Sequence, residues 1–290
     1  DTREEKRPAT NRAVHQILSG NRLHLQHGPI DLIIVADAPE SVRSRAYTLA
    51  IRRFETLLEE LVAELYVLRT PWSTAFPDVQ GSVARRMVEA VKDSEVLITP
   101  MAAVAGAVAD EIRDVMLEAP GLLRVMVNNG GDIAFWLSPG TQCRIGVVNL
   151  PEVPKISANV NITSCSPVRG VATSGWRGRS QSLGIADAVT VLSKTSAQAD
   201  AAATLVANAV NVEHPGIIRK PASQLVDDAD LGDMPVTVSV PHLSENLIDE
   251  ALEQGCRMAQ THIKADRIEA AYLSLQQKSR VVQNPESRTS

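Results

Sequence analysis

Residues 22–37 read RLHLQHGPIDLIIVAD. Apolar and polar residues alternate on both sides of Gly28-Pro29, a β-hairpin pattern. The stretch that follows changes period. Residues 40–68 place Ala46, Leu49, Ala50, Phe54, Leu57, Leu58, Leu61 and Leu65 at helical spacing, which predicts one long amphipathic helix stopped near Thr70-Pro71. Hairpin followed directly by helix is the unit from which the fold is read.

The pattern continues outward. SVARRMVEAVKD (82–93) predicts a shorter helix, and MAAVAGAVADEIRDVMLEA (101–119) a helix whose small residues admit a neighbouring backbone. RVMVNNGGDIAFWL (124–137) predicts two strands around an Asn-Asn-Gly-Gly-Asp turn. Strands follow at about 143–149, 157–163 and 168–173, then AVTVLS (188–193), VTVSV (236–240) and IEAAYLSLQ (268–276). Helices are predicted at 197–210 and 243–263. This order implies an α+β fold with mainly antiparallel sheets rather than regular βαβ winding. Residues 1–12 and 279–290 are polar and read as frayed, disordered ends around one domain, 13–278, with two intertwined α+β halves as a further reading of its two hairpin-then-helix stretches.

Composition narrows the class. The chain has 290 residues, is 44% hydrophobic and carries a net charge of −5, with only 3% aromatics. A chain of this length buries roughly 75% of its unfolded surface without disulfides or metal staples. The acidic balance argues against nucleic acid as a partner. No apolar run is long enough to span a membrane. Three scattered cysteines imply a reducing cytoplasm and no zinc site. The start, DTREEKRPATNRA, lacks the apolar core of a signal peptide.

Four groups of residues carry potential chemistry. Asp200 and Thr204, in QADAAAT, lie one helical turn apart and offer hard oxygen ligands suited to Mg²⁺ or Ca²⁺; the alternative is an aspartate that merely favours a helix N-terminus. The loop TSGWRGRS (173–180) offers Thr173, Ser174, Gly175, Arg177, Arg179 and Ser180 as an anion cradle, or else a solvated turn. Asn129, Gly130, Gly131 and Asp132 form either a ligand-facing backbone or a plain hairpin turn. Asp187, flanked by apolar residues, is either a ligand or acid/base group or a bond to nearby amides. The histidines show no ligating spacing, and neither GxSxG, GxGxxG nor a Walker A motif is present.

Taken in order, VNNGGDI (127–133), VATSG (171–175), ADAVTVLS (186–193) and QADAAATLVANA (198–209), with PMAAVAGAVADE (100–111) upstream, resemble the ApbE-like superfamily. Its best-known members are FAD:protein FMN transferases. The resemblance spans roughly residues 22–276 and implies a fold related to the T-fold, a flavin dinucleotide site and catalytic Mg²⁺. It implies that Asp200 and Thr204 hold the metal. It also implies that Gly130, Gly131, Thr173, Ser174 and Gly175 line the nucleotide. Arg177 and Arg179 would clamp phosphate, and Asp187 would replace an aspartate of the family's HxxDPxTG stretch. The acceptor it implies is a Thr or Ser hydroxyl of a partner protein.

Two departures accompany the resemblance. Ala105 stands before Gly106 where the transferases carry Lys, and RSQSLGIAD (179–187) lacks the His and Pro of their HxxDPxTG stretch. The sequence is thus closer to an ApbE-like branch whose activity is not established. The leading expectation is an enzyme binding FAD or another phosphate-bearing ligand with Mg²⁺. The alternatives are the same scaffold used on a small carboxylated or cyclic amide metabolite, or a non-catalytic ligand-binding protein. The Ala-rich and long helices also suggest a homodimer.

Overall fold

A computed structural model describes residues 12–148, 156–178, 181–226 and 229–284. Nine strands form one sheet in the order β1 (Val14–Leu18), β2 (Arg22–His27), β3 (Ile30–Asp37), β4 (Arg124–Asn129), β5 (Asp132–Leu137), β8 (Gly170–Ser174), β9 (Ala188–Ser193), β12 (Ala270–Leu275) and β13 (Lys278–Gln283). Every neighbouring pair is antiparallel. Two small hairpins complete the β-structure: β6 (Gln142–Val148) with β7 (Ile156–Thr163), and β10 (Ile218–Pro221) with β11 (Pro235–Ser239). The α+β class and the mainly antiparallel pairing are as the sequence implies.

The helices are α1 (Glu40–Ala63), α2 (Leu65–Leu68), α3 (Ser82–Val91), α4 (Val104–Met116), α5 (Ser196–Ala209) and α6 (Glu245–Lys264). Two strands, then helices, then two strands occur twice along the chain: β2–β3, α1–α4, β4–β5, and β8–β9, α5–α6, β12–β13. The sheet is continuous because β5 pairs with β8, where the two sets meet.

One face of the sheet carries the helices. Ala50, Phe54 and Leu57 of α1 and Val108 and Ile112 of α4 close over Leu25, Leu32, Ile34 and Val127. Ala199, Ala203 and Val206 of α5 close with α6 over Ala172, Val191 and Leu273. Each fully buried Leu, Ile or Phe here contributes about 1.5–3 kcal/mol by leaving water. On the opposite face Phe135, Leu137 and Val171 are covered by Cys143, Ile145 and Ile162 of β6–β7.

Three sequence expectations change. The helix expected over 40–68 breaks at Glu64, whose carboxylate turns away to accept the N–H groups of Gln80 (2.8 Å) and Gly81 (2.7 Å). The helix expected from Met101 begins as a 3₁₀ turn over Pro100–Ala103, and α4 ends at Met116. Residues 279–283, read as part of a frayed end, are strand: β13 pairs with β12 from Ala270↔Gln283 to Leu275↔Lys278. It is an edge strand without a buried face, so its sequence shows no alternation. The other end read as frayed, residues 1–11, lies outside the described residues, as do residues 285–290.

Candidate active site

The site lies at one end of the sheet, where three backbone features converge. The first is the β4–β5 turn. Asn129 and Asp132 are register partners, so only Gly130 and Gly131 join the strands. Their φ angles are +66° and +119°, as a two-residue primed turn requires, and Asn128 Oδ1 accepts the Gly131 N–H at 2.9 Å. A Cβ at either glycine would have open space for 4 Å. Asn129 Nδ2 donates to the Ala105 carbonyl at 3.1 Å, bracing the turn against α4.

The second feature is the crossing of α4 and α5. The Ala-rich sequences of both helices let their first turns touch, and Gly106 is where they meet: a Cβ there would lie 2.3 Å from the Ser196 carbonyl oxygen. Each helix supplies the other with a carboxylate. Asp200 Oδ2 accepts the Gly106 N–H at 3.0 Å, in the first turn of α4. Asp110 Oδ2 accepts the Ala197 N–H at 2.9 Å, in the first turn of α5, and Asp110 Oδ1 accepts from Arg113 Nη1 at 2.7 Å. Helix first turns leave N–H groups unpaired and favour negative charge, so both bonds are stabilising.

The third feature is the end of β8. The Thr173 N–H donates to Asp132 Oδ1 at 3.2 Å. Strand alternation then divides the side chains. Asp132 shares the helix-covered face with Ala134, opposite to Ile133 and Phe135. Thr173 points the other way, where its hydroxyl meets that of Thr190 at 2.8 Å.

Helical geometry places Asp200 and Thr204 together. Ala197, Ala201 and Leu205 of α5 face the α4 side, while Ala199, Ala203 and Val206 face the sheet and α6. Asp200 and Thr204 occupy the sector between those stripes, and both are partly buried.

The electrostatics of this cluster are unusual. Burial raises the Asp132 carboxyl to about 7, against the stabilising Thr173 N–H. Burial, and then the charge of Asp132, hold Asp200 well above the ordinary carboxylate range, despite the amides of Gly106 and Ala105. The hydrogen-bond partners of both carboxylates are backbone N–H groups, and no cationic side chain among the described residues bonds them. Like charges sharing a low-dielectric site call for a proton or a cation between them. No group of three His, Cys, Asp or Glu suited to a metal occurs among the described residues. A cation here would therefore rest on Asp132, Asp200, the Thr204 hydroxyl and oxygens of water or ligand. That hard, incomplete oxygen set fits Mg²⁺, which keeps waters and takes phosphate oxygens.

Arg177 and Asp187 are engaged with one another. Arg177 Nε donates to Asp187 Oδ1 at 2.7 Å, and its guanidinium lies 4.6 Å from the centre of the Trp176 ring. Asp187 Oδ2 accepts the Gln276 N–H at 2.6 Å, and the residue is only 5% exposed. Gly175 lets these segments approach, since a Cβ there would lie 2.6 Å from the Asp187 carbonyl oxygen. Ser174 is buried at the end of β8. Arg179 and Ser180 lie outside the described residues. The structure thus gathers Asn129, Gly130, Gly131, Asp132, Asp200, Thr204 and the Thr173 amide, and ties Arg177 and Asp187 into the adjoining loop. Absent from the sequence-level candidates was the cap made by Asp110; an aspartate in the otherwise small and apolar AVAGAVAD run was its only signal.

Comparison with known proteins places the chain in a family. A model of the family described as AbpE bacteria matches residues 14–281. The chain belongs to the AbpE bacteria family. Its relatives include a UPF0280 protein of Methanococcoides burtonii, 32% identical over 198 residues, covering 67% of this chain and 79% of the relative. A UPF0280 protein of Methanopyrus kandleri is 31% identical, covering 68% and 78%. Among solved structures, a mutant of the flavin transferase ApbE from Vibrio cholerae is similar with a TM-score of 0.44 and 14% identity, covering 94% of this chain and 97% of that one. The apo flavinyl transferase ApbE of Pseudomonas stutzeri gives 0.40 and 12%, covering 94% of each. This member of the AbpE bacteria family is an ApbE-like protein. Among its described residues, no helix is long and apolar enough to cross a membrane.

Proposed function

We propose that this ApbE-like protein is a Mg²⁺-assisted enzyme acting on a phosphate-bearing nucleotide, in the first place FAD. The observation that carries the reading is the Asp132–Asp200 pair: two electrostatically coupled carboxylates, each accepting its own backbone N–H and neither with a cationic partner among the described residues, beside a glycine turn with open space above it. Asp132, Asp200 and Thr204 would hold the cation. Bound there, Mg²⁺ supplies positive charge to pyrophosphate oxygens.

The chain's own residues do the rest. Gly130 and Gly131 leave room for a phosphate to approach the backbone. Asn129 and the Asp200–Gly106 bond fix the turn and the metal-side carboxylate against the same first turn of α4. Arg177, committed to Asp187, shapes the loop rather than clamping phosphate. The reaction class is phosphoryl transfer, with a Thr or Ser hydroxyl of a partner protein as acceptor and the nucleotide's AMP as leaving group.

The test is FAD binding followed by flavin fluorescence, with and without Mg²⁺, together with AMP release. Tight Mg²⁺-dependent binding that is lost in Asp200→Asn supports the reading. No FAD binding with Mg²⁺ present overturns it.

A further inference from the structure

A cavity of about 190 Å³ lies on the flank of α5 away from Asp200 and Thr204, between the C-terminal ends of α3 and α6. At about 30 Å³ per water, it holds roughly six waters. Ala90, Ala202 and Leu205 give it an apolar wall.

His262 lines this cavity and is 6% exposed, and its ring makes no hydrogen bond with the other described residues. Beside it are two further donors. The Gln198 amide lies 3.2 Å from Ser193 Oγ, whose one proton also goes to the Arg267 carbonyl at 2.7 Å, and at least one amide N–H of Gln198 is left for the cavity. Arg267 uses Nη2 to donate to the Asp93 carbonyl at 3.0 Å and keeps its remaining N–H groups. The opposite sign is present too. Asp93 and Glu89 line the same space.

The charges balance. Among the lining residues, Lys92 sits 3.7 Å from Glu89, and Asp266 is held at 2.6 Å by Lys194. Arg267 and Asp93 remain as one positive and one negative group, with a neutral imidazole between the helices. Burial and the Arg267 charge keep that imidazole unprotonated, at about 4. A net anion would face Asp93, and a net cation would face Arg267. A small molecule carrying both charges satisfies both.

We propose that this cavity binds a small aliphatic zwitterion of the α-amino-acid class. Its carboxylate takes N–H groups of Arg267, Gln198 and His262, its ammonium faces Asp93, and its side chain lies on Ala90, Ala202 and Leu205. The site is independent of the Asp132–Asp200 cluster, so its test neither needs nor examines the flavin reading.

The experiment titrates the full chain with L-valine, with 2-hydroxyisovalerate (valine without its ammonium) and with isobutylamine (valine without its carboxylate). Two readouts are followed: the melting temperature and the NMR signals of the His262 ring. L-valine is expected to raise the melting temperature and shift the His262 signals at millimolar concentration, with each analogue at least tenfold weaker. Arg267→Gln and Asp93→Asn should each weaken valine at least tenfold. The His262 signals of the unmodified chain keep the test decisive if a variant folds poorly. No response to L-valine, equal binding of either analogue, or binding untouched by Arg267→Gln overturns the proposal.

Discussion

Replacing Gly106 by Ala adds one methyl group at the α4–α5 crossing. That carbon would lie 2.3 Å from the Ser196 carbonyl oxygen, 2.4 Å from its carbon and 2.7 Å from the Ala197 nitrogen. Ordinary contact is about 3.5 Å, so the helices must separate by roughly 1 Å. Backbone on both sides cannot swing away as a side chain would. Overpacking of this kind costs about 1–3 kcal/mol. The shift also stretches the 3.0 Å bond from the Gly106 N–H to Asp200, a bond contributing about 0.5–1.5 kcal/mol. Against this, Ala gains about 1 kcal/mol over Gly in a helix. The net expectation is a loss of about 1–3 kcal/mol in urea unfolding at unchanged slope. Gly130→Ala is the comparison: nothing lies within 4 Å, and only the positive φ opposes it, at about 1–2 kcal/mol. If Gly106→Ala unfolds at the same urea concentration as the unmodified chain, the close crossing and its carboxylate cap are wrong.

His262 gives a pH dependence of stability. Its native value, about 4, is below its ordinary 6.5, so the unfolded chain binds more protons in that window and stability falls as pH drops from 6.5 towards 4. At about 1.4 kcal/mol per pH unit the loss reaches at most about 3 kcal/mol, and it should vanish in His262→Gln when urea midpoints are compared across pH. Arg177→Gln should cost about 3–5 kcal/mol in the same assay, because it leaves the Asp187 carboxylate buried without its cation.

How much was legible in the sequence follows from which residues have a buried face. β2 and β3 alternate buried and partly exposed positions, so their hairpin was plain from residues 22–37. AVTVLS was legible as a strand because almost every position in it is buried. β1 was not, because VHQIL is an edge strand exposed on both faces. Glu64 looks like any helical glutamate; its bonds to Gln80 and Gly81 depend on a segment sixteen residues away. The i, i+4 spacing of Asp200 and Thr204 was correct, yet what surrounds Asp200 comes from elsewhere: Gly106 across the helix crossing, and Asp132 across the sheet. The pairing of Arg177 with Asp187 was hidden for a similar reason, since it depends on how Gly175 folds the loop back onto β9.

The central claim is that Asp132 and Asp200 share a site made for a divalent cation. Calorimetric titration with Mg²⁺, in the presence of FAD, tests it most directly. The account predicts one Mg²⁺ per chain, with binding weakened at least tenfold in both Asp132→Asn and Asp200→Asn while the fold is retained. Mg²⁺ bound equally well by those two variants, or not bound by the unmodified chain, would contradict it.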